Sequence, residues 1–249
     1  MKDVIAVILA AGRGKRMHSM QAKALHKVAD RTILDWNLDA CQLAGIENVI
    51  VVVNAHNDSI RRHLSQDGHA LNIDIAAQAE PLGTADAVRA AFDQMKELRA
   101  RYAIIILGDM PNLQAATLKK MMLKRAQKSL NCLTVVLDEP AAYGRIIRND
   151  DGSIAKIVEF KDCSPDQIAI REINTGIFAV PMSFLETALP QITNNNAANE
   201  YYLTDIIEIA NRENIPVNAV VAEDPGEVMG VNSPEELSKA ELWRKKLSL

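Results

Sequence analysis

The 249-residue chain is 48% hydrophobic and 24% charged, the balance of a folded protein with a sizeable core and not of a disordered one. Its formal net charge of −4 argues against the basic surface that nucleic-acid binding needs, and no apolar run approaches the roughly 20 residues of a bilayer span. The three cysteines, Cys41, Cys132 and Cys163, are isolated and lack metal-ligand spacing, which reads as structural thiols in a reducing cytoplasm.

The first element is VIAVILA (Val4 to Ala10), a continuous apolar run that reads as a strand. The charged, glycine-rich turn behind it suits no signal peptide. Ile33 to Leu43 carries apolar residues at helical spacing, and Gly45 stops it. Asn48 to Val53 and Tyr102 to Asp109 are too continuously apolar for a one-sided sheet, so they read as parallel strands buried on both faces. Ala85 to Arg101 between them reads as a helix, Thr117 to Lys128 as another, and Cys132 to Leu137 as extended. Strand, helix and strand repeated in this way predict an α/β fold with a mostly parallel sheet.

The second half changes character. Tyr143 to Ile147, Ile154 to Phe160 and Glu172 to Val180 read as shorter strands, with DDGS (Asp150 to Ser153) as a hairpin signal. They predict a smaller β-rich portion packed beside the parallel sheet. No Pro/Gly/Ser-rich linker separates the two, so the chain reads as one continuous domain with two lobes. Ser233 as a cap, Pro234 at the first helical position and acids behind it start a terminal helix.

Positive charge gathers after the first strand, at Arg13, Lys15, Arg16, Lys23 and Lys27. In LAAGRGKRM (Leu9 to Met17) the strand runs into a turn whose backbone N–H groups face the sheet's carboxyl edge, a nest for anions. Gly12 and Gly14 let that backbone approach a ligand closely, Arg16 can fork onto two phosphate oxygens, and Lys23 is a compact cation for a second phosphate. The turn is neither a dinucleotide fingerprint, since Met17 stands where a third glycine belongs, nor a P-loop. A solvated basic turn is the plain alternative for this stretch taken alone.

Further motifs follow in order: KALH, QAEPLGTADAV (Gln78 to Val88), LGDMP (Leu107 to Pro111), YGRI, VEFKD, EINTG, NNNAANEYYLTD and GVN. Together with LAAGRGKRM they resemble the signature of the sugar-nucleotide pyrophosphorylases, and most of all the uridylyltransferase half of the bacterial bifunctional enzyme that makes UDP-N-acetylglucosamine. The likeness runs from Val4 to about Asn232. It implies a Rossmann-like nucleotidyltransferase domain over residues 1–232, with a nucleotide lobe to about 138, a sugar lobe from about 139, and a C-terminal helix over 233–249. The implied reaction joins UTP to a hexosamine 1-phosphate, N-acetylglucosamine 1-phosphate, with Mg²⁺ and release of pyrophosphate.

The resemblance also assigns residues. Leu9, Ala10, Ala11, Gly12, Gly14, Gln78, Gly83 and Thr84 would bind the nucleotide, with Gln78 and the Leu82–Thr84 turn at the uracil edge. Arg16 and Lys23 would act on the phosphates, and Asp109 and Asn232 would hold Mg²⁺. A strand-end carboxylate such as Asp109 suits that ion on its own chemistry, because magnesium takes one or two protein oxygens beside phosphate and water. Gly144, Glu159 and Asn174 would bind the sugar, with Tyr143, Glu200 to Tyr202, Thr204 and Asp205 around them. Lys161 and Arg145 are further cations, Arg145 expected in a surface ion pair.

The chain departs from the family pattern at Lys15 for a threonine, Ala22 for a proline and Leu107 for a tyrosine. The last removes a hydroxyl near the expected sugar. No hexapeptide-repeat array is present, so acetyl transfer is not expected, and a monomer or weak dimer is. Two other readings stand beside the main one: a nucleotidyltransferase for another sugar or nucleotide, and a non-catalytic nucleotide-sugar binding module.

Overall fold

A computed structural model describes residues 3–12, 17, 19, 21–66, 68–123 and 128–247. β1 (Val4–Leu9) is buried almost throughout, as its unbroken apolar sequence requires. A 3₁₀ turn over Lys23–Leu25 and the ribbon of β2 (Lys27–Val28) and β3 (Arg31–Thr32) lead into α1 (Ile33–Ala44). Thr32 and Asp35 close a capping box at the start of α1, and Gly45 ends it in the left-handed conformation at φ 82°. Then come β4 (Asn48–Asn54), α2 (Ser59–Gln66), β5 (Asn72–Gln78), α3 (Thr84–Glu97), β6 (Tyr102–Leu107) and α4 (Ala115–Met121). β7 (Leu130–Val136), β8 (Arg145–Arg148), β9 (Ile154–Val158), the single-turn α5 (Pro165–Ile168) and β10 (Glu172–Pro181) follow. The chain closes with α6 (Met182–Ala188), α7 (Ile206–Arg212), β11 (Val217–Val221) and α8 (Pro234–Leu247).

The main sheet runs β11-β7-β10-β6-β1-β4-β5, and the β8–β9 hairpin branches from β10. β1 pairs in parallel with β4 on one side and β6 on the other. Alternation along β1 splits the core: Val4, Ala6 and Ile8 face a cluster with Leu34 and Leu38 of α1, Ile60 of α2 and Leu118 of α4. Ile5 and Val7 face the opposite layer, with Val88, Ala91 and Met95 of α3, Leu185 of α6 and Ile206 of α7. Both faces are therefore covered, and the expected α/β fold with a mostly parallel sheet is the one observed. A third small cluster, Val28, Ile33, Val231 and Ala240, seats α8 beside α1, where Arg244 lies 3.5 Å from the Trp36 ring centroid.

Some boundaries differ from expectation. The helix expected to reach Arg101 ends at Glu97, because Arg99 turns left-handed at φ 53° and the N–H groups of Arg101 and Tyr102 both donate to Asp3 O to open β6. The helix expected over Thr117 to Lys128 spans Ala115–Met121, and residues 124–127 lie outside the described residues. Phe160 leaves its strand for a 3₁₀ turn. The strand expected at Glu172 is no satellite of the sheet. β10 lies inside it, antiparallel to both β6 and β7. Among the described residues, no helix is long and apolar enough to cross a membrane. All three cysteines are free, with Cys41 and Cys132 buried.

Candidate active site

With β4 and β6 on opposite sides of β1, the chain leaves the sheet in two directions, and a crevice opens beyond the carboxyl ends of the strands. The cleft there measures about 660 Å³. Leu9, Ala10, Ala11 and Gly12 line it from the end of β1, Gln78 from the end of β5, and Gly83 and Thr84 from the start of α3. Lys23, Asp109 and Asn232 line its other wall. Gly14 and Arg16, the remaining nucleotide and phosphate candidates, lie outside the described residues.

Three side chains from distant parts of the sequence meet on that wall. Lys23 Nζ lies 2.5 Å from Asp109 Oδ2 and 3.0 Å from Asn232 Oδ1. Backbone and helix contacts set this convergence. Val231 N–H donates to Asp109 O at 2.9 Å, and Asn232 N–H donates to Glu236 Oε2 at 2.6 Å. Glu236 N–H in turn donates to Ser233 Oγ, so the capping of α8 holds Asn232. Buried Asn112 donates to Gly226 O and Ala240 O, tying the Asp109 loop to α8; sequence reasoning missed it, since an asparagine after Gly-Asp-x-Pro carries no distinguishing signal. Asp109 Oδ1 is buried without a hydrogen-bond partner among the described residues. A hard carboxylate oxygen left unmatched beside an amide oxygen fits a divalent, oxygen-seeking cation.

Opposite, the Gln78 amide donates to Gly83 O at 3.1 Å and to Asp86 Oδ2 at 2.8 Å, which fixes its orientation. Gly83 adopts φ 124°, and a Cβ on it would stand 2.5 Å from Tyr201 O. The two segments are stitched together: Tyr201 N–H donates to Leu82 O, Ala85 N–H to Tyr201 O, and Leu203 N–H to Thr84 Oγ1.

That stitch leads into a second cavity of about 200 Å³, which shares Thr84 and Leu107 with the first. Tyr143, Gly144, Glu159, Asn174 and Thr204 line it. A β-bulge in β10 between Asn174 and Phe178 shapes this wall, with Gly176 at φ 80° so close to Leu107 that a Cβ would stand 2.5 Å from Leu107 Cδ1. Asn174 N–H donates to Gly144 O at 2.9 Å, and Gly144 leaves room for the Glu159 carboxylate, 3.2 Å from where its Cβ would be. Thr204 Oγ1 donates to Glu159 Oε1 at 3.2 Å. Burial pushes the Glu159 carboxyl above the ordinary glutamate range, and the nearby acids Asp162, Asp205 and Glu200 push it further, against the Thr204 hydrogen bond.

Two expectations need correction here. Arg145 makes no ion pair among the described residues. It is 2% exposed, and its guanidinium donates to the carbonyl oxygens of Pro140, Ala141, Tyr143 and Ile168, shaping the loop that carries Tyr143 and Gly144. Lys161 is exposed and lines neither cavity.

Asp205, at the start of α7, is pushed up to about 6 from 3.8 by burial first and then by Glu208 and Asp162. A carboxyl raised in the folded state favours folding below its unfolded value and loses that contribution as pH rises through the folded one. Asp205→Asn should therefore raise the Tm at pH 7.5 and leave it nearly unchanged at pH 3.8, the change developing between 3.8 and about 6. Thermal melts across that range check it, and an equal shift at both ends would reject it.

The end of β1 at the switch point, a cation–carboxylate–amide wall and an adjoining polar pocket form one continuous candidate site on an α/β fold. The chain belongs to the MobA-like NTP transferase domain family, whose pattern matches residues 6–154. It therefore carries a nucleotidyltransferase-type domain. It is 41% identical over 237 residues to the bifunctional protein GlmU of Trichlorobacter lovleyi, covering 94% of this chain and 51% of that protein. The corresponding protein of Dechloromonas aromatica is 42% identical over 235 residues, covering 94% and 50%, and that of Caldanaerobacter subterraneus subsp. tengcongensis is 39% identical over 243 residues, covering 97% and 51%. The chain spans about half the length of these curated relatives.

Proposed function

We propose that this protein transfers a uridylyl group from UTP to N-acetylglucosamine 1-phosphate, releasing pyrophosphate. The observation that carries this reading is the pair of adjoining cavities, one of nucleotide size at the phosphate turn and one smaller and polar, joined at Thr84 and Leu107. Two phosphorylated reactants held in them would meet between Lys23, Asp109 and Leu107. In-line displacement at an α-phosphorus needs alignment and charge neutralisation more than covalent participation.

In this reading residues to about 138 form the nucleotide lobe, those from about 139 to 232 the sugar lobe, and residues 233–249 the closing segment, which holds α8 (Pro234–Leu247). The amides from Ala10 to Gly12 and Gly14 cradle the triphosphate, and Arg16 forks onto it. Gln78, oriented by Gly83 and Asp86, offers its amide oxygen to the imide N–H of uracil. Lys23 takes a phosphate oxygen. Asp109 and Asn232 would hold Mg²⁺, which supplies charge neutralisation on the triphosphate when bound. Glu159 and Asn174 bind sugar hydroxyls and the acetamido group, and Gly144 keeps the pocket open beside Glu159. A cytoplasmic site of action fits these substrates and the free thiols.

The test is a panel of the four common NTPs against hexose and hexosamine 1-phosphates, read by pyrophosphate release. The strongest signal is expected with UTP and N-acetylglucosamine 1-phosphate, present with Mg²⁺ and absent with EDTA. Strongest turnover with another nucleotide or sugar would reject the substrate assignment, and no release from any pair would make the protein a binding module.

Leu107 gives a finer prediction. It faces both cavities with an apolar wall, and such a wall rejects a variant sugar only weakly. Leu107→Tyr is expected to raise the ratio of kcat/KM for N-acetylglucosamine 1-phosphate over glucose 1-phosphate several-fold, by the worth of about one hydrogen bond (~0.5–1.5 kcal/mol). An unmoved ratio means that position 107 does not set selectivity.

A further inference from the structure

Lys23 stands where two oxygens converge. Its ammonium bridges Asp109 Oδ2 at 2.5 Å and Asn232 Oδ1 at 3.0 Å, and the Lys23 and Asp109 side chains are only 18% and 14% exposed. Magnesium sits about 2.0–2.1 Å from its oxygens and gathers them closely, so an ammonium held by the same two oxygens would lie close to the ion and repel it. The carboxylate is not idle in the free protein; it is neutralised from within the chain.

We infer that Lys23 is a placeholder cation: it occupies the Asp109–Asn232 site in the free protein, excludes free divalent ions, and gives up the site when a nucleotide triphosphate draws its ammonium away. The inference rests on the assignment of Asp109 and Asn232 as the metal-holding pair. The lysine stem lets the charge travel. Four rotatable carbons carry Nζ from the carboxylate wall toward the anion nest at the end of β1, and both line the same cleft. A triphosphate carries more negative charge than one aspartate, so it competes well for that ammonium. Removing the ammonium exposes Asp109 Oδ2 and Asn232 Oδ1 together with Oδ1 of Asp109, which already lacks a partner among the described residues. The consequence is coupling. The divalent ion is bound only in company with the nucleotide, which keeps the carboxylate from holding a metal unproductively.

The experiment measures Mn²⁺ binding to the nucleotide-free protein by electron paramagnetic resonance. Wild type is expected to bind weakly, and Lys23→Met to bind about tenfold or more tightly, since the cation that competes for the same two oxygens has been removed. Lys23→Gln should behave as Lys23→Met does, and circular dichroism confirms which variant is folded. Adding Asp109→Asn to either should abolish the gain. Equal or weaker binding in the folded Lys23 variants would overturn the placeholder role. If that equal binding is lost in Asp109→Asn, the metal-holding pair still stands. Binding indifferent to Asp109→Asn in every background would overturn the metal assignment itself.

Discussion

Asn232→Ala is expected to lower turnover on the order of 10²-fold while the melting temperature moves little, whereas Asp109→Ala should lower turnover on the order of 10²–10³-fold and cost stability as well. The difference follows from what each side chain holds in the free protein. Among the described residues Asn232 is one of two acceptors for the Lys23 ammonium, and its loss leaves the Lys23–Asp109 pair intact. Losing Asp109 removes the charged partner of an ammonium whose side chain is 18% exposed, leaving the neutral amide oxygen of Asn232 to hold it. Leaving such a group without its partner costs about 1–3 kcal/mol. Steady-state assays at saturating Mg²⁺ together with thermal melts separate the two signatures. Unchanged turnover in both variants would remove these oxygens from the catalytic site.

The elements legible in the sequence are those whose environment is uniform. β1, β4 and β6 lie at the centre of the sheet with both faces covered, so their apolar runs are unbroken and speak for themselves. β5 was silent for the opposite reason. It stands at the sheet edge, and its sequence NIDIAAQ mixes exposed polar residues with apolar ones. α2, SIRRHLSQ, fully buries only Ile60, and its apolar face is no more than Ile60 and Leu64, too short to stand out in the sequence. The place of β10 could not be read locally at all. Its pairing of Phe178 with Ile105 and with Cys132 joins residues far apart in the chain, and nothing in EINTGIFAVP names those partners.

The candidate site divides along the same line. Motif order picked out the residues, and the cleft gathers Leu9 to Gly12, Lys23, Gln78, Gly83, Thr84, Asp109 and Asn232, while Gly144, Glu159 and Asn174 share the second cavity. The devices that bring them together were invisible. Asn112 acts through carbonyls over 100 positions away, and Gly176 matters because a bulge in one strand meets a leucine of its neighbour. Arg145 misled because an arginine is usually a surface residue. Here four backbone carbonyls of neighbouring loops satisfy its donors, which makes burial possible.

Gly83→Ala is expected to damage both substrate sites at once, and Gly152→Ala neither. Both glycines sit at positive φ. Gly83 lies at φ 124° and Gly152 at φ 83°, conformations that a side chain resists at a cost of about 1–3 kcal/mol. Their surroundings differ completely. Around Gly152, in the β8–β9 hairpin turn, a Cβ meets nothing within 4 Å. At Gly83 it meets the Tyr201 backbone, at 2.5 Å from O and 2.6 Å from N. Backbone cannot swing aside as a side-chain tip can, so the two segments must separate. That separation strains the bonds from Tyr201 N–H to Leu82 O and from Ala85 N–H to Tyr201 O. It also displaces Gly83 O from the Gln78 amide and, through Leu203, moves Thr204 away from Glu159. KM for the nucleotide and KM for the sugar phosphate should therefore both rise about tenfold or more, the worth of one to two hydrogen bonds in each pocket. The Gly152 variant should lose less Tm, from backbone strain alone, and keep its kinetic constants. If Gly83→Ala raises only one of the two constants, the Leu82–Thr84 turn serves a single pocket and the coupling through Tyr201 is wrong.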